Sequence, residues 1–454
     1  MKNDTVDMAQ REQGREMKVT NLISAGVLAV NDGYRVRNVE LGARGTPFVR
    51  GGDIGDNGEI NTDVADHVLP KFKDRLTGKV AAPGDVAFIS KGTVGRVGRL
   101  REGQPPIVFA PQVCFWRSLN PDEICPTFLY YLLTSSIFQS QLDAVRTHGS
   151  MVADYVSLAD QRAFTLPIPT IDVQRAISAL LGSLDDKIEQ NRRTGRALEG
   201  LARATFKAWF VDFEPVKAKA AGATAFPGMP PAAFAALPDR LTESPLGPIP
   251  LGWEVGSVGS TASLSKQQID PQENAEEAFD HYSIPAFDAG SNAVTETGGS
   301  IKSQKFVVVA ESVLFSKLNP RIARVWLPPA SDGRRQIAST EFLVVVPRPG
   351  WSRYFLYCLF QQEEFRNALA QSASGTSNSH QRIRPDDFLA KPVVIPTQPL
   401  RESFARQVVP LMELRAASQA ESSKLATLRD YLLPRLLSGR VRVRSAETRV
   451  EAIA

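Results

Sequence analysis

Residues 115–170 of this chain reappear, altered but legible, 227 positions later. Phe128-Leu129-Tyr130-Tyr131-Leu132-Leu133 falls on Phe355-Leu356-Tyr357-Cys358-Leu359-Phe360. At the same offset Phe115 meets Phe342, Phe138 meets Phe365, Leu142 meets Leu369, Asp160 meets Asp387, and Pro169-Thr170 meets Pro396-Thr397. With a slip of one or two residues, Val86-Ala87-Phe88-Ile89-Ser90-Lys91 aligns with Val313-Leu314-Phe315-Ser316-Lys317, and Val94-Gly95-Arg96-Val97 with Ile322-Ala323-Arg324-Val325. Amphipathic segments resemble one another by chance, but not at one offset over some 120 positions. The chain is therefore two copies of one large unit, and any fold must place the same elements twice.

Each copy changes period along its length. Its first part mixes short β-type runs with Gly, Asp and Pro turns: Thr46 to Arg50, Val80 to Val97 and Ile107 to Phe115, followed by a helical patch from Thr127 to Leu142. In the second copy, Ser312 to Phe315, Ala323 to Leu327 and Phe342 to Val346 read as the matching strands. Beyond these parts the period becomes 3.5. One stripe runs Ile177, Leu181, Leu184, Ile188, Asn191, Gly195, Leu198, Ala202, Thr205, Trp209. The other runs Phe404, Val408, Leu411, Arg415, Ser418, Ser422, Leu425, Arg429, Leu432, Leu436. Apolar residues so spaced form one stripe on a helix, and Pro169-Thr170 and Thr397-Pro399 mark the starts. Each helix is expected to span about 38 residues, roughly 57 Å, too long for a small globular core to cover, so each stripe is expected to find the other helix. Asn191 and Arg415 interrupt the stripes at matching positions; either they set register or they are tolerated polar insertions.

These readings predict an α+β fold: two repeated mixed α/β globular domains and two long helices. The expected division is a polar N-terminal arm at 1–17, a first domain at 18–170, a first helix at 171–213, a Pro/Ala-rich linker at 214–250 holding eight prolines, a second domain at 251–397, a second helix at 398–440 and a basic tail at 441–454.

Composition narrows the class. With 454 residues, 43% hydrophobic and 22% charged, the chain can bury several cores and is not disordered, collagen-like or disulfide-stapled. Cys114, Cys125 and Cys358 lack metal-ligand spacing, which suits a reducing compartment. No run of roughly 20 apolar residues could cross a bilayer, and the stretch from Met1 to Lys18 is too polar for a secretory signal. A soluble cytoplasmic protein is expected. Fifty-three Lys and Arg against 49 Asp and Glu give a net charge of +4, which permits a polyanionic partner only through local placement of the cations.

Catalytic motifs are missing. Gly78-Lys79 is followed by Val80 and makes no phosphate loop; Asn319-Pro320-Arg321 is the nearest approach to the Asn-Pro-Pro-aromatic signature of amino-methylating enzymes. Gly42 to Gly45 and Gly51-Gly52 make no dinucleotide fingerprint. His67, His148, His281 and His380 stand singly, without zinc spacing. Glu16-Met17-Lys18 is a lone acidic-x-Lys in a polar arm. The pattern points to a binding or scaffolding role.

Two pairs of loops could touch a ligand. The apolar run ending at Ser90 delivers Lys91, Thr93, Arg96 and Arg99 into a Gly-rich turn; its counterpart carries Lys317, Asn319, Arg321 and Arg324. Such cations neutralise phosphates and fork onto guanine edges, although a solvated basic hairpin has the same composition. The second pair comprises the loop with Gly149 and Ser150 and the Gly/Ser/Asn-rich loop with Thr376, Asn378 and Gln381. Small amide and hydroxyl side chains suit backbone contacts and adenine pairing, and equally a turn held by its own side-chain bonds.

Phe48-Val49-Arg50-Gly51-Gly52-Asp53-Ile54, Leu314 to Arg321, the helix from Asn191 through Trp209-Phe210-Val211-Asp212-Phe213, and Ile249-Pro250-Leu251-Gly252-Trp253 resemble the DNA-specificity subunit of type I restriction-modification systems. The resemblance runs from about residue 18 to 440. It departs at the first copy, which opens Met17-Lys18-Val19-Thr20 without the Gly-Trp entry of the second. The resemblance implies two target-recognition domains, each reading half of a bipartite site in double-stranded DNA, and two antiparallel helices as a coiled-coil spacer between them. It implies a non-catalytic subunit that recruits two adenine-methylating modification subunits and ATP-dependent restriction subunits. S-adenosylmethionine, ATP and Mg are then expected on those partners, with no cofactor and no metal on this chain. In that scheme helix length sets the unread gap between half-sites. A protein-assembly scaffold, or a DNA scaffold without sequence preference, is the competing reading; a nuclease would need a carboxylate-lysine cluster that the sequence lacks.

Overall fold

A computed structural model describes residues 15–146, 155–331, 333–372 and 381–443. The chain divides into two compact units: residues up to Gln190 together with those from Glu421, and residues 191–420.

In the first unit, strands β1 (Leu28–Asp32), β2 (Val86–Ile89), β3 (Val97–Arg99) and β4 (Val113–Ser118) form an antiparallel sheet in the order β1-β4-β2-β3. Helices α1 (Pro126–Thr134), α2 (Ser136–Val145) and α3 (Leu158–Ala163) follow. Phe138 sits edge-on to Phe88 and to Trp116, ring centroids 5.6 Å away in each case, and Trp116 Nε1 donates to Gln161 Oε1 at 3.1 Å, so the buried indole keeps its hydrogen bond. The helical patch expected as one helix is two. Buried Ser135 stops the first by bonding back to the Leu132 carbonyl at 2.6 Å and caps the second at the Phe138 amide. A five-stranded sheet built from residues 41–109 adds a parallel pairing of Thr46–Val49 with Ile107–Phe109.

In the second unit, β5 (Ala262–Ser265), β6 (Val313–Ser316), β7 (Val325–Trp326) and β8 (Phe342–Pro347) repeat that sheet in the order β5-β8-β6-β7. Counting on, α4 is the helix Ile171–Phe210, and α5 (Arg353–Gln361), α6 (Glu363–Ala370) and α7 (Pro385–Ala390) repeat α1 to α3 ahead of α8 (Gln398–Leu437). β2 and β6, α1 and α5, α3 and α7, and α4 and α8 each start and end 227 positions apart. The repeat is therefore structural, and fold class and sequence periodicity agree.

Both long helices run 40 residues. Within the first unit Ile177, Leu181, Leu184 and Ile188 are buried in one core with Leu425, Leu432 and Leu436. Lys187 meets Glu421 and Asp185 meets Arg429 there, so residue numbers rise on one helix as they fall on the other: the pairing is antiparallel. Within the second unit Phe206 packs 5.7 Å from Phe404 and Glu199 meets Arg415, in the same sense. Both heptad stripes are the buried faces, as expected of helices that cover each other.

Two segments differ from expectation. Arg15–Lys18 is a strand paired with Thr165–Ile168, as Glu254–Ser257 is with Pro392–Ile395, so the last residues of the polar arm enter a sheet in both copies despite the missing Gly-Trp. The Pro/Ala-rich stretch is folded: it carries helices Glu214–Ala220 and Pro231–Ala235 and buries Val216, Met229, Phe234 and Leu237 in the core of the second unit. Pro215 and Pro231 sit at helix starts, where the missing N–H costs nothing. Phe213 takes a left-handed conformation, φ 54°, to turn the chain out of α4.

Candidate nucleic-acid interface

The first basic loop leaves β2 at Ser90, which is buried and bonded to the Gln112 carbonyl. Lys91, Gly92 and Thr93 are exposed, and Gly92 has φ +91°, which a side chain would resist. Ile89 and Gly95 close the turn with backbone bonds. Lys91 forms an isolated antiparallel bridge with Tyr155, and the Val156 amide donates to the Ser90 carbonyl at 2.9 Å. Arg99 lays its guanidinium 5.4 Å from the Tyr130 ring centre. Arg96 is engaged inside the unit: its Nε meets Asp56 at 2.7 Å and its Nη1 donates to the Ile54 carbonyl at 3.1 Å.

The second basic loop leaves β6 at Ser316, also buried. Leu318 bridges Arg382, 227 positions on from the Lys91–Tyr155 bridge at both ends. The Asn319 amide donates to the Gln381 carbonyl at 2.8 Å, and the Ile383 amide to the Lys317 carbonyl at 3.1 Å. Asn319 itself turns the loop with φ 49°, as Asn tolerates better than most residues. Lys317 is half-buried and Arg321 exposed. Arg324 grips Asp288 through two bonds of 2.8 Å, holding that carboxylate below its ordinary range.

Among the predicted contact residues, then, the structure draws Asn319 to Gln381 and ties Lys91 and Lys317 to the segments that follow the second loops. Arg96 and Arg324 are each paired with a carboxylate of their own unit, Asp56 and Asp288, which braces the loops they leave. Gly149, Ser150, Thr376 and Asn378 lie outside the described residues, as do His148 and His380.

Two buried polar clusters escaped the sequence reading. In the first unit Tyr131 donates to Asp185 Oδ2 at 2.7 Å, and Arg429 meets Asp185 Oδ1 at 2.7 Å. In the second, Tyr357 donates to Glu199 Oε1 at 2.5 Å, and Arg415 meets Glu199 Oε2 at 3.0 Å. Burial, then the adjacent carboxylate, pushes both phenols well above their ordinary range. For Arg429 burial is the largest influence and lowers its pKa, but the hydrogen bond and charge of Asp185, with Asp430, outweigh it. The signal in the sequence was Arg415 within the apolar stripe, whose partner 216 residues away could not be named. Between the first cluster and the basic loop lies a polar cleft of about 390 Å³, lined by Thr93, Gly95 and Arg96 on one side and Tyr131, Asp185 and Arg429 on the other.

Cys114, Cys125 and Cys358 are free thiols. Among the described residues no group of three His, Cys, Asp or Glu could hold a metal ion. No described helix is long and apolar enough to cross a membrane.

Fold and site define a protein with two repeated units, each carrying a basic loop bridged to a later segment, at Tyr155 or Arg382, and a share of a long antiparallel helix pair. Known proteins similar to this chain share one description. The chain is 26% identical over 368 residues to the type I restriction enzyme HindI specificity subunit of Haemophilus influenzae, covering 71% of this chain and 79% of that one. It is 26% identical over 391 residues to the type I restriction enzyme MjaIX specificity subunit of Methanocaldococcus jannaschii, covering 83% of each. The crystal structure of a type I restriction-modification system S subunit from M. genitalium superposes with a TM-score of 0.53 at 13% identity over 93% of this chain and 95% of that one, which shows a shared fold. No family model matches. Both relatives are named specificity subunits of type I restriction enzymes, and this chain is similar to them over most of its length.

Proposed function

We propose that this chain is the sequence-specific DNA-binding subunit of a type I restriction-modification complex. It reads a bipartite duplex site through target-recognition domains at 18–170 and 251–397, joined by spacer helices at 171–213 and 398–440. It performs no chemistry itself. Two adenine-methylating subunits and the restriction subunits assemble on it and supply S-adenosylmethionine, ATP and Mg, and the complex works on DNA in the cytoplasm. The observation that carries this reading is the repetition, 227 positions apart, of one loop-and-bridge arrangement: Lys91 to Tyr155 and Leu318 to Arg382. Two like units on paired helices suit two half-sites. Lys91, Thr93, Arg99, Lys317, Asn319 and Arg321, with the loops bearing Gly149, Ser150, Thr376, Asn378 and Gln381, are the surfaces that would meet DNA. Arg96 and Arg324 would hold those loops in shape. Target adenines would be flipped into the methylating partners, which bear the unstacking cost.

Mapping N6-methyladenine across host DNA, with and without this gene, tests the reading. Loss of methylation at one split motif is the expected result. An unchanged methylome, with the methylating partner expressed and active, would replace it with an assembly-scaffold role.

A further inference from the structure

The first unit carries a second basic surface, away from the loops above and built around one buried acid. Glu40 is 1% exposed. Its carboxylate accepts the Arg37 amide at 3.0 Å, Tyr34 Oη at 3.1 Å and Arg75 Nη1 at 2.7 Å, and its carbonyl accepts the Leu69 amide at 2.9 Å. Those bonds, the Arg37 amide first, hold it below the ordinary carboxylate range, so it stays charged and the elements bearing Arg37 and Arg75 stay together.

Around this anchor stand Arg35, Arg37, Arg44, Lys71 and Lys73, all exposed and with no ion-pair partner among the described residues. Lys71 and Arg75 flank the Phe72 ring, 5.1 and 5.3 Å from its centre, which limits their freedom before any ligand arrives. Arg44 occupies a tight turn where Gly45, φ +140°, lies so close to the Val68 carbonyl that a Cβ would come within 2.1 Å of it. That closeness brings Arg44 to the start of the 3₁₀ helix Pro70–Leu76, which bears both lysines. Val39 on this surface is 73% exposed among the described residues. In the second unit the five-stranded sheet carries acids at Asp270, Glu273 and Glu276, and its exposed Arg334 and Arg335 are paired to Asp280 and Glu277.

We propose that the cations around Glu40 grip the phosphate backbone of duplex DNA without reading bases, so that the first unit supplies most of the sequence-independent attachment and the second unit little. Five exposed cations on a rigid edge outnumber the one exposed acid beside them, Asp74, and complement a line of phosphates, releasing counterions as they bind. The inference rests on the specificity-subunit reading and adds an asymmetry between its two halves.

The test uses the full chain co-purified with its methylating subunits and a labelled duplex of random sequence, with affinity followed against KCl. Replacing Arg35, Arg37, Lys71 and Lys73 by Gln together is expected to flatten the slope of log K on log salt by about 2 to 4 and weaken binding to all duplexes alike. The methylated motif is expected to stay the same. The charge-keeping set Arg35→Lys, Arg37→Lys, Lys71→Arg and Lys73→Arg is expected to retain the wild-type slope. An unchanged slope in the Gln variant, while the wild type binds, overturns the grip. So does equal weakening in the charge-keeping set, which would mark the patch as structural. If the wild-type complex binds no duplex at all, the specificity reading itself falls.

Discussion

Arg429 and Asp185, 244 residues apart in the chain, meet at 2.7 Å in the first unit, and Tyr131 donates to the same carboxylate. Arg415, Glu199 and Tyr357 make the same arrangement in the second. Both acids sit on α4 fourteen residues apart, and both arginines on α8 fourteen apart, which is two heptads in each case. Apart from Asn191, the other residues along these stripes are apolar or small and fix the register only weakly. The ion pairs remove that freedom, because a shifted register leaves a half-buried charge without its partner. The polar position read at Arg415 is thus a register contact.

Removing one member should cost more than removing both. Asp185→Ala leaves the Tyr131 phenol without its acceptor and Arg429, 26% exposed, with Asp430 alone, an expected loss of about 2 kcal/mol. The apolar double change Asp185→Leu with Arg429→Met is expected to fall within about 1 kcal/mol of wild type. Urea unfolding of Asp185→Leu, Arg429→Met and the double variant checks this; additive losses would mean that the pair is not coupled.

The phenols give an alkaline limit. Tyr131 and Tyr357 have folded pKa values raised above 10.0, chiefly by burial and then by Asp185 and Glu199. The folded state therefore holds those protons more tightly than the unfolded chain. Their contribution to stability is complete below pH 10 and declines as pH rises beyond it towards the folded values. Ultraviolet titration is expected to show the Tyr131 and Tyr357 phenolates appearing only with unfolding. Tyr131→Phe should remove one of them and flatten the loss of stability above pH 10.

The two loops predict a division among their cations. Lys91 and Arg321 are exposed, whereas Arg96 and Arg324 are bound by Asp56 and Asp288. Lys91→Ala or Arg321→Ala in the assembled complex is expected to weaken specific DNA binding about threefold to tenfold with no change in thermal unfolding. Arg324→Ala should instead lower the unfolding temperature, because Asp288 loses its partner and the turn loses its brace. Fluorescence anisotropy beside a melting curve separates the outcomes.

Much of this was legible where the cause was local. The helices α4 and α8 announce themselves through a stripe that repeats every 3.5 residues and a Pro-Thr or Thr-Gln-Pro start, and β2 and β6 through short apolar runs ending in turns. What escaped depends on residues far apart. Asp56 lies 40 positions from Arg96 and Asp288 lies 36 from Arg324, so loops that read as open charge are closed by acids that no spacing rule connects to them. Arg15–Lys18 looks like a solvated arm because a strand held by backbone pairing needs no apolar signature. The stretch around Val216 and Phe234 looks like a linker because its few apolar residues only form a core when the second unit supplies the rest.

Helix length itself can be tested without disturbing the ion pairs. Asp185 with Arg429 closes one end of a segment of the helix pair, and Glu199 with Arg415 closes the other. One heptad inserted into α4 between Asp185 and Glu199, and one into α8 between Arg415 and Arg429, adds about 10 Å to each helix. It also leaves the buried stripe in phase, which an insertion of four residues would not. Both ion pairs and both cores should persist, so the variant is expected to fold with an unfolding temperature close to wild type. If the helices set the unread gap, the methylated motif keeps both half-sites and its gap lengthens by about three base pairs, given 3.4 Å per base pair. Methylome mapping reads this directly. Unchanged spacing with full activity would mean that the gap is set by the partner subunits and that the helix pair only holds each unit in place.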